Sequence, residues 1–370
     1  MGSRAKLFFH RTVYDTDTDG LFLSAVRENV EWHLSRCPEY AALMKTKGFH
    51  AETLASGGVF ALPPIPTLFL KKHELLSVPE KKLHLQSTTS GTSGTPVRVG
   101  FDAKAMLYGL NMLRRMLFYH KLPSAVPANY IILGYEPSRH NHMGAVRTAY
   151  GATLLAPALH REYALKDTGA DYALNEEGIV NALMRYSRAK WPVRINGFPA
   201  YLYFLLKRLE QEDIRLTLHP KSLIFLGGGW KQFSAQKVEK TELYRMARER
   251  LGIPEERFME FFGVVEHNVP YCACKNHHFH VPVYSRVSVR GFGSMEPLGY
   301  GEPGILNLVT PLLDSMPLTS ILTDDLAVLH EGRECGCGIE TPYFEVLGRA
   351  GVQGIKTCAA GAGSMLEGRL

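Results

Sequence analysis

The order of apolar segments predicts an α/β fold, and three observations carry it. Between residues 104 and 251, apolar residues at helical spacing alternate with short buried-strand runs, the pattern of helices laid over a sheet. Beyond residue 280 the chain turns to short β segments broken by Gly and Pro, which implies a smaller β-rich part. Hydrophobic residues make up 45% and charged residues 21% of 370 positions, an ordinary globular balance that excludes a disordered chain, a collagen-like fibre and a disulfide-stapled miniature.

The elements follow in order. Residues 20–47 carry helical spacing through Leu21, Leu23, Val26, Val30 and Leu34. Leu62 to Pro66 is a proline-broken lead-in that ends in the apolar run Leu68, Phe69, Leu70, and a Ser/Thr/Gly loop comes next. From Lys104 to His120 apolar residues recur at helical intervals (Met106, Leu107, Leu110, Leu113, Met116, Leu117), and Tyr130 to Leu133 reads as a strand ending at Gly134. Ala200 to Glu212 is a helix, and Ser222 to Leu226 a buried strand closed by Gly227, Gly228 and Gly229. Thr241 to Leu251 is a helix stopped by Gly252. His280 to Val289, Ile305 to Val309 and Leu326 to Leu329 are the short β segments. Without repeats or a long linker, the chain reads as one continuous fold.

The charge balance narrows the function. Forty-two Lys and Arg against 36 Asp and Glu give +6 and a pI near 8.9. Yet basic and acidic residues interleave, as in Lys237 to Arg257, so the pattern is that of solvated helix faces rather than a nucleic-acid stripe. Tyr201, Tyr203 and Phe204 stand at helical spacing beside Leu202, Leu205 and Leu206, which reads as core packing. No apolar run reaches the roughly 18 to 20 residues of a membrane span, and the N-terminus lacks a signal-peptide pattern, so the expected location is cytoplasmic.

Three segments carry chemistry. Ser87 to Pro96 (Ser-Thr-Thr-Ser-Gly-Thr-Ser-Gly-Thr-Pro) offers hydroxyls and close backbone approach to a phosphate through Thr89, Ser90, Gly91, Thr92, Ser93, Gly94 and Thr95. It is not the nucleotide loop that ends in Gly-Lys-Ser/Thr, since no Lys follows the second glycine. Cys272-x-Cys274 and Cys335-x-Cys337, with His277, His278 and His280 between them, form a metal constellation. Four thiolates, or three with one imidazole, satisfy tetrahedral Zn²⁺, and Gly336 and Gly338 permit the tight turn that a Cys-x-Cys-Gly knuckle needs. Cys37 stands apart. Cys358, among Gly351, Gly354, Ala359, Ala360 and Gly361, suits a nucleophilic thiol on a small-residue segment, and Lys356 beside it would favour the thiolate.

The decapeptide resembles the nucleotide-phosphate loop of the adenylate-forming enzymes, which join a carboxylate to AMP and pass the acyl group to a thiol or other nucleophile. Further motifs follow in order. Phe261-Phe262-Gly263-Val264-Val265-Glu266 is similar to the superfamily's aromatic-Gly-x-x-Glu element, which implies an adenine neighbour in Phe262 and Gly263 and a magnesium ligand in Glu266. Thr323-Asp324-Asp325-Leu326 resembles its Thr-Gly-Asp-Leu element, implying ribose contact by Asp325, with Asp324 in place of glycine. Leu347-Gly348-Arg349 resembles its Gly-Arg element, where Arg349 would contact ribose or phosphate. Ile65 to Lys71, Asn196-Gly197-Phe198-Pro199 and above all Phe225-Leu226-Gly227-Gly228-Gly229-Trp230-Lys231 resemble the acyl-protein synthetases of bacterial bioluminescence operons, relatives of phenylacetate-CoA ligases.

By that resemblance the fold is the large N-terminal domain of an adenylate-forming enzyme, a multi-sheet α/β body with a small β-rich subdomain. A helical N-terminal region at 1–80, an adenylate-forming core at 81–350 and a short tail at 351–370 carrying Cys358 are expected. The usual lysine-bearing C-terminal domain is expected to be truncated, so Lys231 or Lys356 would replace its lysine. The implied reaction is ATP- and Mg²⁺-dependent activation of a fatty or aryl acid as acyl-adenylate, followed by thioester formation on Cys358 and delivery to an acyl-reductase or acyl-carrier partner. A CoA- or amide-forming ligase and a non-catalytic nucleotide-binding homologue are the alternatives. Two anions must meet in such a site, and Arg98, Lys231 and Arg349 are the candidate neutralising charges. Gly228 and Gly229 would border adenine and ribose, and Phe198, Tyr201 and Phe225 are candidates for either acyl pocket or core. The same resemblance implies a structural zinc on Cys274, His280, Cys335 and Cys337, with Cys272 the competing fourth ligand.

Overall fold

The helical pattern expected over 20–47 is two helices in the computed structural model, Asp19–Leu34 and Pro38–Thr46. Pro38 supplies the break: without an N–H it cannot continue the first helix, but it fits the first turn of the next. The structure describes residues 1–88, 97–139, 141, 143–230, 233 and 236–349. The phosphate-loop residues from Thr89 to Thr95, and Lys231, Lys356 and Cys358, lie outside the described residues.

The described chain forms two units, one of 1–88, 97–120 and 263–349, the other of 121–262. In the first, strands Phe279–His280, Tyr343–Arg349, Ser320–His330, Pro303–Val309 and Arg286–Arg290 lie in that order, all antiparallel. Ile65–Pro66 adds in parallel to Ser320–His330, with Ile65 opposite Ile321 and Pro66 opposite Leu322. This sheet is the β-rich part expected beyond residue 280. The opening helix Ser3–Phe8 is tied down by Arg4, fully buried, which pairs with Asp314 and donates to the carbonyls of Pro311 (2.7 Å) and Leu312 (2.9 Å). Each of the three guanidinium nitrogens thereby has a partner, which is what a buried charge requires.

The helix expected at 104–120 is Ala103–Tyr119, started by Asp102, whose side chain accepts from the Ala105 N–H at 3.0 Å. Its core face differs from the one the apolar spacing suggested. Ala105, Tyr108, Met112 and Met116 are buried, while Met106, Leu107, Leu110 and Leu113 point to solvent. The helix is apolar on both faces, so periodicity alone could not choose between them.

The second unit is the α/β part. Strands Ala158–Asp167, Ala128–Tyr135, Val193–Gly197, Leu223–Gly227 and Phe258–Val264 run parallel in that order, and Tyr172–Leu174 adds antiparallel at the Ala158–Asp167 edge. Side chains alternate across the sheet. Ile131, Leu133, Ile195, Ile224 and Leu226 face a core built with helices Glu176–Ser187, Pro199–Gln211 and Lys240–Leu251, whereas Tyr130 and Ile132 join a smaller cluster with Ala156 and Tyr163. Each fully buried Leu or Ile contributes about 1.5 to 3 kcal/mol, so the larger cluster holds this unit together. Gly252 ends its helix as expected: at φ +69° it lets the Ile253 N–H reach back to the Ala247 carbonyl. Sequence reading missed the strand Val193–Gly197, because Arg194 and Asn196 interrupt its apolar run.

Candidate active site and candidate metal site

The parallel pairing of Ile65–Pro66 with Ile321 and Leu322 delivers Thr67 to the motif that follows, where its hydroxyl donates to Asp324 Oδ1 at 3.3 Å. Asp325 stands inside the strand Ser320–His330, directly opposite Arg349, and the Arg349 Nε donates to its Oδ1 at 3.3 Å. The ladder shifts register just beyond, between Leu326 and Ala327, so the pair sits at an irregularity that re-aims side chains. Thr323 fixes the strand by donating to the Leu306 carbonyl (3.0 Å) and accepting from the Asp325 N–H (3.1 Å). Glu266 follows the strand Phe258–Val264 and is buried.

Three carboxylates therefore share one place with two cations. Burial raises the Glu266 carboxyl above its usual range and the negative neighbour Asp324 raises it further, against the pull of Arg349 and Lys71. Burial likewise raises Asp325, against Arg349 and with Asp324 adding to the rise. A divalent cation or a sugar hydroxyl is what such desolvated oxygens are arranged to receive. Of the residues singled out from sequence, Glu266, Asp325 and Arg349 are brought together. Lys71 and Thr67 belong to the same neighbourhood, a placement that the motif Ile65 to Lys71 does not by itself reveal. Their spacing of four on a short helical turn, Thr67–Leu70, was the available signal that they share a face.

Other candidates separate. Arg98 is exposed and held by Glu74 (2.6 Å) and Glu80 (2.5 Å), so its charge is already answered. Tyr201 is in the large core with Phe198 packed against it, the bland alternative for both. Phe225 instead stacks on Phe261 with centroids 6.3 Å apart, away from that core. Gly228 takes φ +72°, a conformation that suits glycine, and at Gly229 and Gly263 an added Cβ would meet nothing within 4 Å.

The second cluster of the first unit is Cys274, His280, Cys335 and Cys337, whose ligand atoms lie within 4.8 Å of one another. Cys272 is not among them. It is fully buried, and burial pushes its thiol well above the usual range. The surroundings suit thiolates bound to a metal. Backbone N–H groups of Asn276 and Ile339 donate to Cys274 and Cys337 sulfur, each at 3.4 Å, two residues past each cysteine. His280 Nδ1 lies 2.7 Å from the Thr341 carbonyl, which assigns it the proton and leaves Nε2, 3.3 Å from the Cys337 sulfur, as the ligand atom. His278 Nδ1 lies 3.2 Å from the Cys335 sulfur, beside the set. Gly336 at φ +67° and Gly338 at +98° make the knuckle turn. Burial opposes ionisation of both Cys274 and Cys335. Hydrogen bonds from His280 and nearby N–H groups hold Cys274 below its usual range, while Cys335 is pushed up to about 12 with the Cys274 charge against it. Three sulfurs and one imidazole in a tetrahedral-sized space fit Zn²⁺ by donor chemistry.

A family model described as Acyl-protein synthetase, LuxE, matches residues 12–366. The chain belongs to the acyl-protein synthetase LuxE family. As an acyl-protein synthetase family member it is a ligase, and its relatives agree. It is 21% identical over 353 residues to a long-chain-fatty-acid–luciferin-component ligase of Aliivibrio fischeri, covering 92% of this chain and 88% of the relative. The Vibrio harveyi ligase of the same name is 21% identical over 308 residues, covering 80% and 76%. The acyl-protein synthetase also shares its fold with a 2-hydroxyisobutyryl-CoA ligase solved in an open conformation with 2-HIB-AMP and CoA. The TM-score is 0.66 at 15% identity, covering 91% of this chain and 76% of that one. The adenylate-forming fold expected from the motifs is thus found.

Proposed function

We propose that this acyl-protein synthetase uses ATP and Mg²⁺ to activate a fatty or aryl acid as its acyl-adenylate and transfers the acyl group to Cys358, from which a reductase or acyl-carrier partner receives it. In the first step a carboxylate oxygen attacks the α-phosphorus and pyrophosphate leaves. In the second the Cys358 thiolate attacks the acyl carbon and AMP leaves. The observation that carries the reading is the convergence of Glu266, Asp325 and Arg349, three residues from three separate motifs, on one desolvated site. Glu266 is assigned to the metal, Asp325 to the ribose and Arg349 to ribose or phosphate. Lys231 or Lys356 is assigned the stabilising charge at the α-phosphate, and the Ser87–Pro96 loop the pyrophosphate. The Cys274, His280, Cys335 and Cys337 set is assigned a structural zinc, since all four donors come from the protein and leave no position for substrate.

Carboxylate-dependent ATP–pyrophosphate exchange tests the first step. A long-chain or aryl acid is expected to support it, and no exchange across a broad panel of acids would refute the reading. For the second step, intact-mass measurement after incubation with ATP and acid should show an acyl adduct on the wild type. Cys358→Ser should keep exchange and lose the adduct. An adduct that persists in Cys358→Ser would move the acceptor elsewhere, and acyl-CoA formation without an adduct would favour the CoA-ligase alternative.

A further inference from the structure

The helix Ala103–Tyr119 buries one apolar face and presents another. Directly opposite the buried stripe, Leu110 is 68% exposed, Leu107 56% and Leu113 42%, with Met106 and Phe118 beside them. A polar residue would cost nothing at any of these sites, so a row of Leu over successive turns marks a face that meets something apolar. The opening segment packs alongside it: Asn111 donates to the Phe8 carbonyl (2.7 Å), Arg115 to the Arg11 carbonyl (2.8 Å), and Phe8 stacks on Tyr108 at 5.1 Å. That places Phe9, also exposed, and Arg11 next to the row.

Charge says what the face meets. Residues 1–14 and 103–120 hold Arg4, Lys6, Arg11, Lys104, Arg114 and Arg115 and no Asp or Glu. Outside these two segments, 36 of the 42 Lys and Arg face 36 Asp and Glu, so the whole +6 of the chain resides here. Carboxylates on the neighbouring elements have partners, Glu28 included, which accepts from the Arg4 backbone N–H at 3.2 Å. Asp314 pairs with Arg4 and Lys104, Asp102 caps the helix, Asp15 accepts from Thr12, and Asp19 pairs with Arg286. Among the described residues no ion pair forms at Lys6, Arg11 or Arg114. A helix with Leu and Phe outward and no Asp or Glu of its own has the composition of an interfacial helix. No helix among the described residues is long and apolar enough to cross a membrane, so this one would lie on a bilayer.

We propose that the face of helix Ala103–Tyr119, with Phe9, Lys6 and Arg11, docks the protein reversibly on an anionic lipid surface, inserting Leu107, Leu110 and Leu113. The inference is independent of the proposed reaction. Co-sedimentation of the full chain with phosphatidylcholine vesicles, with and without phosphatidylglycerol, tests it. Binding should be at least tenfold stronger to the anionic vesicles and should weaken with salt, because each cation near such a surface is worth roughly fivefold. Leu107→Glu with Leu110→Glu should reduce it at least tenfold while circular dichroism and pyrophosphate exchange stay unchanged, and Arg114→Gln should reduce it by severalfold. No binding to anionic vesicles, or binding that neither variant changes, would overturn the proposal. So would loss of self-association or of a protein partner in the double variant with vesicle binding intact, which would assign the face to a protein.

Discussion

The first unit contains two polar clusters built on opposite principles. Around Cys274, His280, Cys335 and Cys337 every donor has its orientation fixed by a backbone N–H, a carbonyl or a neighbouring histidine. Around Glu266 and Asp325 the carboxyls are buried with the exposed Asp324 charge beside them, and among the described residues Arg349 and Lys71 oppose that charge. The first arrangement resolves its own electrostatics once one dication is present. The second leaves two carboxyls raised above their usual range in the folded chain, which is the condition expected of the exchanging site proposed for it. On the proposed reading the first cluster serves stability and the second serves chemistry, and the two make opposite predictions for substitutions.

The largest effect is expected at the knuckle. Cys337→Ser should abolish the bound zinc, measured by plasma emission on protein purified without chelator. It should destabilise the protein by about 3 kcal/mol or more in urea unfolding, as when one partner of a buried charged set is removed. Wild-type protein without stoichiometric metal would overturn the zinc assignment. Asp325→Asn and Glu266→Gln should act the other way. Each should keep the fold and lower pyrophosphate exchange by about a hundredfold, the usual cost of a charged group that acts in the transition state. Because the folded Glu266 carboxyl lies above its usual range, its ionised form costs stability at neutral pH. Glu266→Gln should therefore raise the melting temperature there, an advantage that fades as pH falls through the raised carboxyl's range and is gone below the ordinary carboxylate range. A variant that is both inactive and unfolded would make Glu266 a structural residue.

What the sequence revealed follows the range of each signal. The parallel strands Ala128–Tyr135 and Leu223–Gly227 were legible because both faces are buried and the runs are continuously apolar. The helix Lys240–Leu251 was legible through its glycine stop. The site residues Glu266, Asp325 and Arg349 were legible as motifs, but their meeting was not, because it depends on long-range pairing of Ser320–His330 with Tyr343–Arg349 and Ile65–Pro66. Lys71 escaped for the same reason. The choice among five metal-ligand candidates also needed space: Cys272 and Cys274 are equivalent in sequence and only one reaches the cluster. On helix Ala103–Tyr119 periodicity could not choose the face, since Leu107 and Leu110 are as apolar as the Met112 and Met116 that pack inward.

The smallest predicted effect probes Asp324, which stands where the superfamily motif has glycine. Its charge raises both Glu266 and Asp325, and its side chain accepts from Thr67. Removing a like charge favours ionisation of the two carboxylates that remain, so their protonation should occur at lower pH in Asp324→Asn. If exchange requires both ionised, the acidic limb of its pH profile should move to lower pH while the rate at the plateau changes by no more than severalfold. Thr67→Val, which removes only the hydroxyl, should leave the limb in place. An acidic limb that is unmoved in Asp324→Asn, or that moves upward, would mean that Asp324 does not govern the charge of this site and that the rise distinguishing it from the knuckle comes from burial alone.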